Sequence, residues 1–158
     1  MNLLLTLASG LLLPLSLPNE MLPSGATLPG LVALVPAFLM VYRSTTPKEA
    51  SGYGLIFGVV STLIGNYWLA FFGEFSVWTI GGVTLVYAVY NYVLFGVLFR
   101  FTSGEHASVA SIRPLWIAIV WTAFEYLKSV GFLGYPWGLI AYPLARVIPL
   151  AQVAEITG

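Results

Sequence analysis

Residues 77–101 read VWTIGGVTLVYAVYNYVLFGVLFRF, a run in which Arg100 is the only charged side chain. A hydrocarbon core about 30 Å thick asks for roughly 20 apolar residues in helical conformation, so this run is long enough to cross a bilayer with tilt. Tyr87, Tyr90 and Asn91 recur within it at helical spacing and fall on one face. Such a face joins neighbouring helices through side-chain hydrogen bonds more readily than it meets a substrate. A helix this apolar belongs inside a large core or a membrane, and the flanking sequence decides between them.

Working outward, the same pattern returns. Leu3 to Leu17 is apolar and short for a span, with Pro14 near its end. No positive residue precedes it and no A-x-A site follows, so an entry helix ending at Pro18-Asn19-Glu20 is a better reading than a cleaved signal peptide. Leu28 to Tyr42 is the second run, and Arg43 to Glu49 is the polar, Pro-interrupted connection after it. Gly52 to Phe72 is the third, carrying Asn66-Tyr67-Trp68 near its end, where amphipathic aromatics meet headgroups. A polar loop, Thr102 to Ser111, follows the 77–101 run. Pro114 to Val130 then opens with a proline suited to a first helical turn and closes at Gly131. Gly131 to Gly138 is too rich in Gly, Pro and aromatic residues for a regular span.

The expectation is an all-α, polytopic transmembrane helix bundle in a single membrane domain, residues 1–158. Its spans are 3–17, 28–42, 52–72, 77–101 and 114–130, with 131–158 an interfacial or re-entrant segment or a partial sixth helix.

Composition agrees and excludes several functions. Of 158 residues 59% are hydrophobic and 8% charged, against about 25% charged in ordinary soluble domains. Six Lys or Arg balance six Glu, with no Asp, so no basic stripe exists to meet nucleic acid. With no Cys and one His, His106, neither a metal site nor a cofactor is expected, and no cysteine nucleophile is present. Gly-rich phosphate loops are absent from the sequence, which disfavours a nucleotide-driven pump.

Cations set the expected orientation, since Lys and Arg of short loops stay on the cytoplasmic side. Arg43 and Lys48 lie between the second and third runs, Arg100 and Arg113 between the fourth and fifth, and the other two connections hold none. The amino terminus is therefore expected in the cytoplasm, with Gly131 to Tyr142 on the outer face. Lys128 and Arg146 are the exceptions.

Glu125 is the one acid well inside an apolar run, and a carboxylate there is costly unless it is paired or reaches water. Trp121 and Lys128 share its helical face. The three residues suit either an ion pair that merely tolerates the membrane or part of a polar cavity, and the residues alone favour neither. Tyr67, Trp68, Tyr135 and Trp137 would gather near the outer surface. An interfacial aromatic belt explains them more simply than the lining of a lipid entrance, because 15% of the chain is aromatic.

The run Trp121-Thr122-Ala123-Phe124-Glu125-Tyr126-Leu127-Lys128, followed by Gly131-Phe132-Leu133-Gly134-Tyr135-Pro136-Trp137-Gly138 and on to Tyr142, resembles a segment of the bacterial apolipoprotein N-acyltransferases. Its pattern there is W-x-x-x-E-[WY]-[LR]-[KR], then G-[FY]-P-W and G-Y, with Ala141 standing where the last Gly would be. Tyr67-Trp68-Leu69, Pro149-Leu150-Ala151-Gln152 and Ile156-Thr157-Gly158 extend the likeness along most of the chain.

The resemblance implies a multi-pass enzyme of the bacterial inner membrane that moves an acyl chain from a phospholipid donor to the amino-terminal cysteine of an apolipoprotein acceptor. It also implies that the catalytic Glu, Lys and Cys belong to a nitrilase-like domain later in the chain. Neither Glu125 nor Lys128 matches that triad, so no residue here is expected to be catalytic. What carries over is a supporting role, a lateral opening that admits phospholipid, completed by a nitrilase-like domain that could be separately encoded. A non-enzymatic lipid-handling or assembly protein, holding a headgroup on the Trp121, Glu125 and Lys128 face, is the alternative.

Overall fold

The computed structural model describes residues 1–158 other than 21, 104–111, 132–133, 146 and 154–158, and the described chain is helical without strands. Each of the five apolar runs forms helix, and local chemistry fixes where each begins and ends. α1 covers Asn2–Ser16 and stops at Leu17, whose backbone is extended (φ −71°, ψ 156°) because a residue before proline disfavours the helical region. The second run is not one helix. It divides into α2, Thr27–Val32, and α3, Val35–Arg43, since Pro36 has no amide hydrogen and its ring collides with the carbonyl four residues back.

The third run begins earlier than the expected Gly52. α4 covers Pro47–Gly65, with Thr46 as its cap: the Glu49 amide donates to Thr46 Oγ1 at 3.1 Å. Glu49 turns its own carboxylate back to accept from the Thr45 amide at 2.8 Å and hydroxyl at 2.9 Å. Those two donors hold its carboxyl below the ordinary value. α4 also ends sooner than expected, at Asn66, whose amide and side chain both donate to the Thr62 carbonyl. Tyr67–Phe71 and Gly73–Phe75 then wind as 3-10 turns. α5 is the long helix, Ser76–Thr102, and α6 covers Arg113–Ser129 with Pro114 in its first turn. Beyond it the chain turns at Gly131 (φ +82°), forms a 3-10 turn at Tyr142–Leu144 and ends its described part near α7, Ile148–Ala151. The polar loop beyond Ser103, including Glu105 and His106, lies outside the described residues, as do Arg146 and Ile156-Thr157-Gly158.

α4 and α5 are packed against each other more closely than any other pair. Gly54 and Gly58, one helical turn apart, permit it: a Cβ at these positions would stand 2.5 Å from the Asn91 carbonyl oxygen and 2.7 Å from that of Tyr87. Small residues at such a seam let two backbones approach. Phe57, Leu94, Phe95, Leu98, Met40 and Trp121 fill the centre of the bundle.

Polarity is reversed relative to a water-soluble fold. Thr6, Ser9, Asn66, Asn91 and Thr102 are buried, while Leu4, Leu28, Phe71 and Trp78 are 70%, 77%, 78% and 79% exposed. The buried hydroxyls bond to backbone carbonyls, as Thr6 does to Asn2 and Thr102 to Leu98, and Ser9 Oγ donates to the Ala33 carbonyl. Apolar surface of this extent marks contact with something other than water. Among the described residues one stretch, Gly73–Thr102, is by itself long and apolar enough to cross a membrane; Asn2–Ser16 and Thr27–Arg43 are apolar but shorter.

Candidate functional site

The end of the bundle where α4 and α6 finish and α5 starts collects every sequence-predicted site residue. On α6, Trp121, Glu125 and Lys128 do share a face, and with Asn66, Tyr87, Asn91, Tyr135 and Trp137 they line one chamber of about 60 Å³. That is space for a few waters, each needing about 10–15 Å³ on the same measure. Trp121 is buried, 8% exposed, with its ring edge-on to Phe38 at 5.7 Å and Phe57 at 6.3 Å. Its indole N–H is buried without a partner among the described residues.

Backbone groups of the segment after α6 meet the two charged side chains. Glu125 Oε1 accepts from the Ile140 amide at 2.9 Å, and Lys128 Nζ donates to the Gly138 carbonyl at 3.5 Å. The ammonium also lies 5.4 Å from the centre of the Tyr87 ring, within cation–π range. Tyr135 is fixed from three sides. Its amide donates to the Lys128 carbonyl at 2.8 Å, its hydroxyl donates to Asn66 Oδ1 at 2.8 Å, and its carbonyl accepts from the Tyr87 hydroxyl at 3.4 Å. Burial pushes the Tyr135 phenol above its ordinary pKa.

Tyr67 and Trp68 stand apart from the chamber. They line a neighbouring cleft of about 410 Å³ with Asn19, Glu20 and Ile64, where Trp68 packs edge-on to Trp137 at 5.9 Å. Chamber and cleft share the walls Pro14, Leu17, Gly65, Tyr135 and Trp137. Sequence reasoning missed α1 as a wall, and it missed the peptide amide of Ile140, which no side-chain pattern announces. Tyr87 and Asn91 were visible as a polar face on α5 but read as helix glue; they are also chamber walls.

A third feature is apolar. Where α5 and α6 diverge, Leu85, Val86, Val89 and Val93 of α5 face Ile119, Ala123 and Leu127 of α6 across a groove of about 800 Å³. From Leu85 to Phe101 the groove follows α5 for about 24 Å at 1.5 Å per residue. Phe124 belongs to both groove and chamber, and Tyr90 covers it with ring centres 3.9 Å apart. A polar pocket thus stands beside a long apolar channel, separated by one aromatic pair. Among the described residues no group of His or acidic side chains could hold a metal ion.

A helical bundle with a greasy exterior and this two-part site is the class that fold and geometry define. Comparison with known proteins gives the family. The model of the apolipoprotein N-acyltransferase N-terminal domain matches residues 9–158, and the chain belongs to that family. It is 33% identical over 150 residues to an apolipoprotein N-acyltransferase of Borreliella burgdorferi, covering 95% of this chain and 28% of the relative. With apolipoprotein N-acyltransferase 2 of Treponema pallidum it shares 36% over 152 residues, 96% of this chain and 26% of that one. The chain therefore spans little more than a quarter of the length of these relatives. No solved structure matches it.

Proposed function

We propose that this chain is the lipid-receiving membrane domain of a phospholipid-dependent apolipoprotein N-acyltransferase in lipoprotein maturation. The family resemblance implies that acyl transfer to the apolipoprotein acceptor belongs to a nitrilase-like domain with a catalytic cysteine, a residue type that these 158 residues do not contain, and the domain described here admits and holds the phospholipid donor. The observation that carries the reading is the juxtaposition of the apolar groove between α5 and α6 with the Glu125 and Lys128 chamber across Phe124. A two-part site of that kind suits a two-part ligand, with an acyl chain along the groove and a polar head near Lys128. The membership of the family supports the same assignment.

In this reading the helices of all five runs lie in the bacterial inner membrane, α2 and α3 together making one crossing, with the amino terminus in the cytoplasm. At about 22 Å, the 15-residue α1 is shorter than a hydrocarbon core of about 30 Å, so it crosses where the bilayer thins or its flanks snorkel. A single cysteine replacing exposed Thr45 should then be shielded from an impermeant thiol reagent added outside cells, and one replacing exposed Glu74 should react. The reverse pattern refutes the orientation.

The functional test blocks the groove. Val89→Trp, introduced into the enzyme assembled with its nitrilase-like domain, should cut lipoprotein N-acylation at least about tenfold, the loss expected when about 1.4 kcal/mol of binding is removed. The exposed control Leu55→Trp on α4 should act like the parent. Equal activity of all three proteins would favour the alternative, a lipid-handling or assembly protein whose groove plays no part in acyl transfer.

A further inference from the structure

We propose that residues 134–142 are a latched strap that closes the polar chamber, and that Glu125, Lys128, Asn66 and Tyr87 are positioning residues that hold it shut. The inference deepens the proposed function, on which it rests for the identity of what passes, the polar head of a phospholipid.

Four polar side chains of the site fasten this segment. Glu125 takes the Ile140 amide, Lys128 gives a hydrogen bond to the Gly138 carbonyl, Asn66 receives the Tyr135 hydroxyl and Tyr87 donates to the Tyr135 carbonyl. The segment itself has no regular secondary structure from Gly134 to Ala141. Three of its backbone groups, the Tyr135 and Gly138 carbonyls and the Ile140 amide, are met by side chains of α5 and α6, and buried polar groups need such partners. Gly138 sits at φ +73° inside the strap and Gly131 at φ +82° before it, conformations that a residue with a Cβ resists. Just beyond its far end, the Thr27 hydroxyl donates to the Pro143 carbonyl at 2.8 Å, anchoring the chain to α2.

Two of the five walls shared by chamber and cleft, Tyr135 and Trp137, belong to this strap. Lifting it joins the chamber of about 60 Å³ to the cleft of about 410 Å³. With the strap in this position, the chamber holds only a few waters; once joined, the space can take a lipid head. Glu125 and Lys128 thus act on access through the strap rather than as groups that touch reacting atoms. Asn66 and Tyr87 do the same through Tyr135.

The absence of cysteine from the sequence makes the strap measurable. Thr62 is buried and lines the chamber; Ala37 is buried in the core away from it. The full chain in detergent micelles without phospholipid, carrying Thr62→Cys, should react slowly with a small methanethiosulfonate. Adding Glu125→Ala should accelerate that reaction about 3- to 20-fold, the range matching intramembrane side-chain hydrogen bonds of about 0.6–1.7 kcal/mol. Glu125→Gln keeps an acceptor oxygen for the Ile140 amide and should stay within about twofold of the parent, while Tyr135→Phe, which removes only the bond to Asn66, should fall between. Ala37→Cys should not change its rate in any of these backgrounds. The strap is overturned if Glu125→Ala leaves Thr62→Cys unchanged, if Glu125→Gln accelerates it as much as Glu125→Ala, or if Ala37→Cys accelerates in parallel, which marks general loosening. Because no lipid is present, failure of the lipid reading leaves this result unaffected.

Discussion

The two sides of α5 differ in kind. Toward α4 it is locked: Gly54 and Gly58 let the backbones touch near Tyr87 and Asn91, and Phe57, Leu94 and Phe95 complete a seam with hardly any exposed side chain. Toward α6 the same helix shows Leu85, Val86, Val89 and Val93, each more than half exposed, along an open channel. One helix therefore serves as scaffold on one face and as a wall of the candidate site on the other. Stability and ligand access are separated by a rotation about a single axis, so mutations on the two faces should separate them as well.

That separation predicts a graded series in thermal unfolding of the detergent-solubilised chain. Phe57→Ala, deleting a ring that is 2% exposed and packed on Phe95 at 5.3 Å, should have the largest effect, a loss of about 3–5 kcal/mol. Gly54→Ala forces a methyl against the Asn91 carbonyl oxygen and should cost about 1–3 kcal/mol through overpacking. Val89→Ala, on the open face, should stay within about 0.5 kcal/mol of the parent. A Val89→Ala loss as large as that of Phe57→Ala would mean that the channel is closed in the folded protein and the contrast between faces is false.

The locked side was the more legible in the sequence. Long charge-poor runs with polar or Gly-rich breaks mark five helical regions, and the all-helical fold follows. Two of the differences in helix bounds have identifiable reasons. Thr46-Pro47-Lys48-Glu49 is a cap, a first-turn proline and a third-position acid, the pattern that starts a helix, but its polarity makes it look like a connection. Pro36 inside an apolar run divides α2 from α3, because a hydropathy pattern is blind to a missing amide hydrogen.

On the site side, helical spacing alone brought Trp121, Glu125 and Lys128 to one face. The grouping of Tyr135 and Trp137 with them needed the chain reversal at Gly131. What the sequence could not express is that Glu125 and Lys128 meet peptide groups, since every residue carries an amide and a carbonyl and none is distinguished by name. Glu125 and Lys128 line the same chamber and have backbone partners at Ile140 and Gly138.

The central claim is that phospholipid lies along the channel between α5 and α6, and photolabelling tests it most directly. The chain reconstituted in nanodiscs containing phosphatidylethanolamine with a diazirine on one acyl chain should, after irradiation, carry most of its adducts on peptides bearing Val89, Val93, Ala123 and Leu127. Few should fall on Leu55 and Leu63 of α4, which are also exposed, at 39% and 42%. Adducts spread evenly over both helix faces, in proportion to exposed apolar surface, would contradict the account.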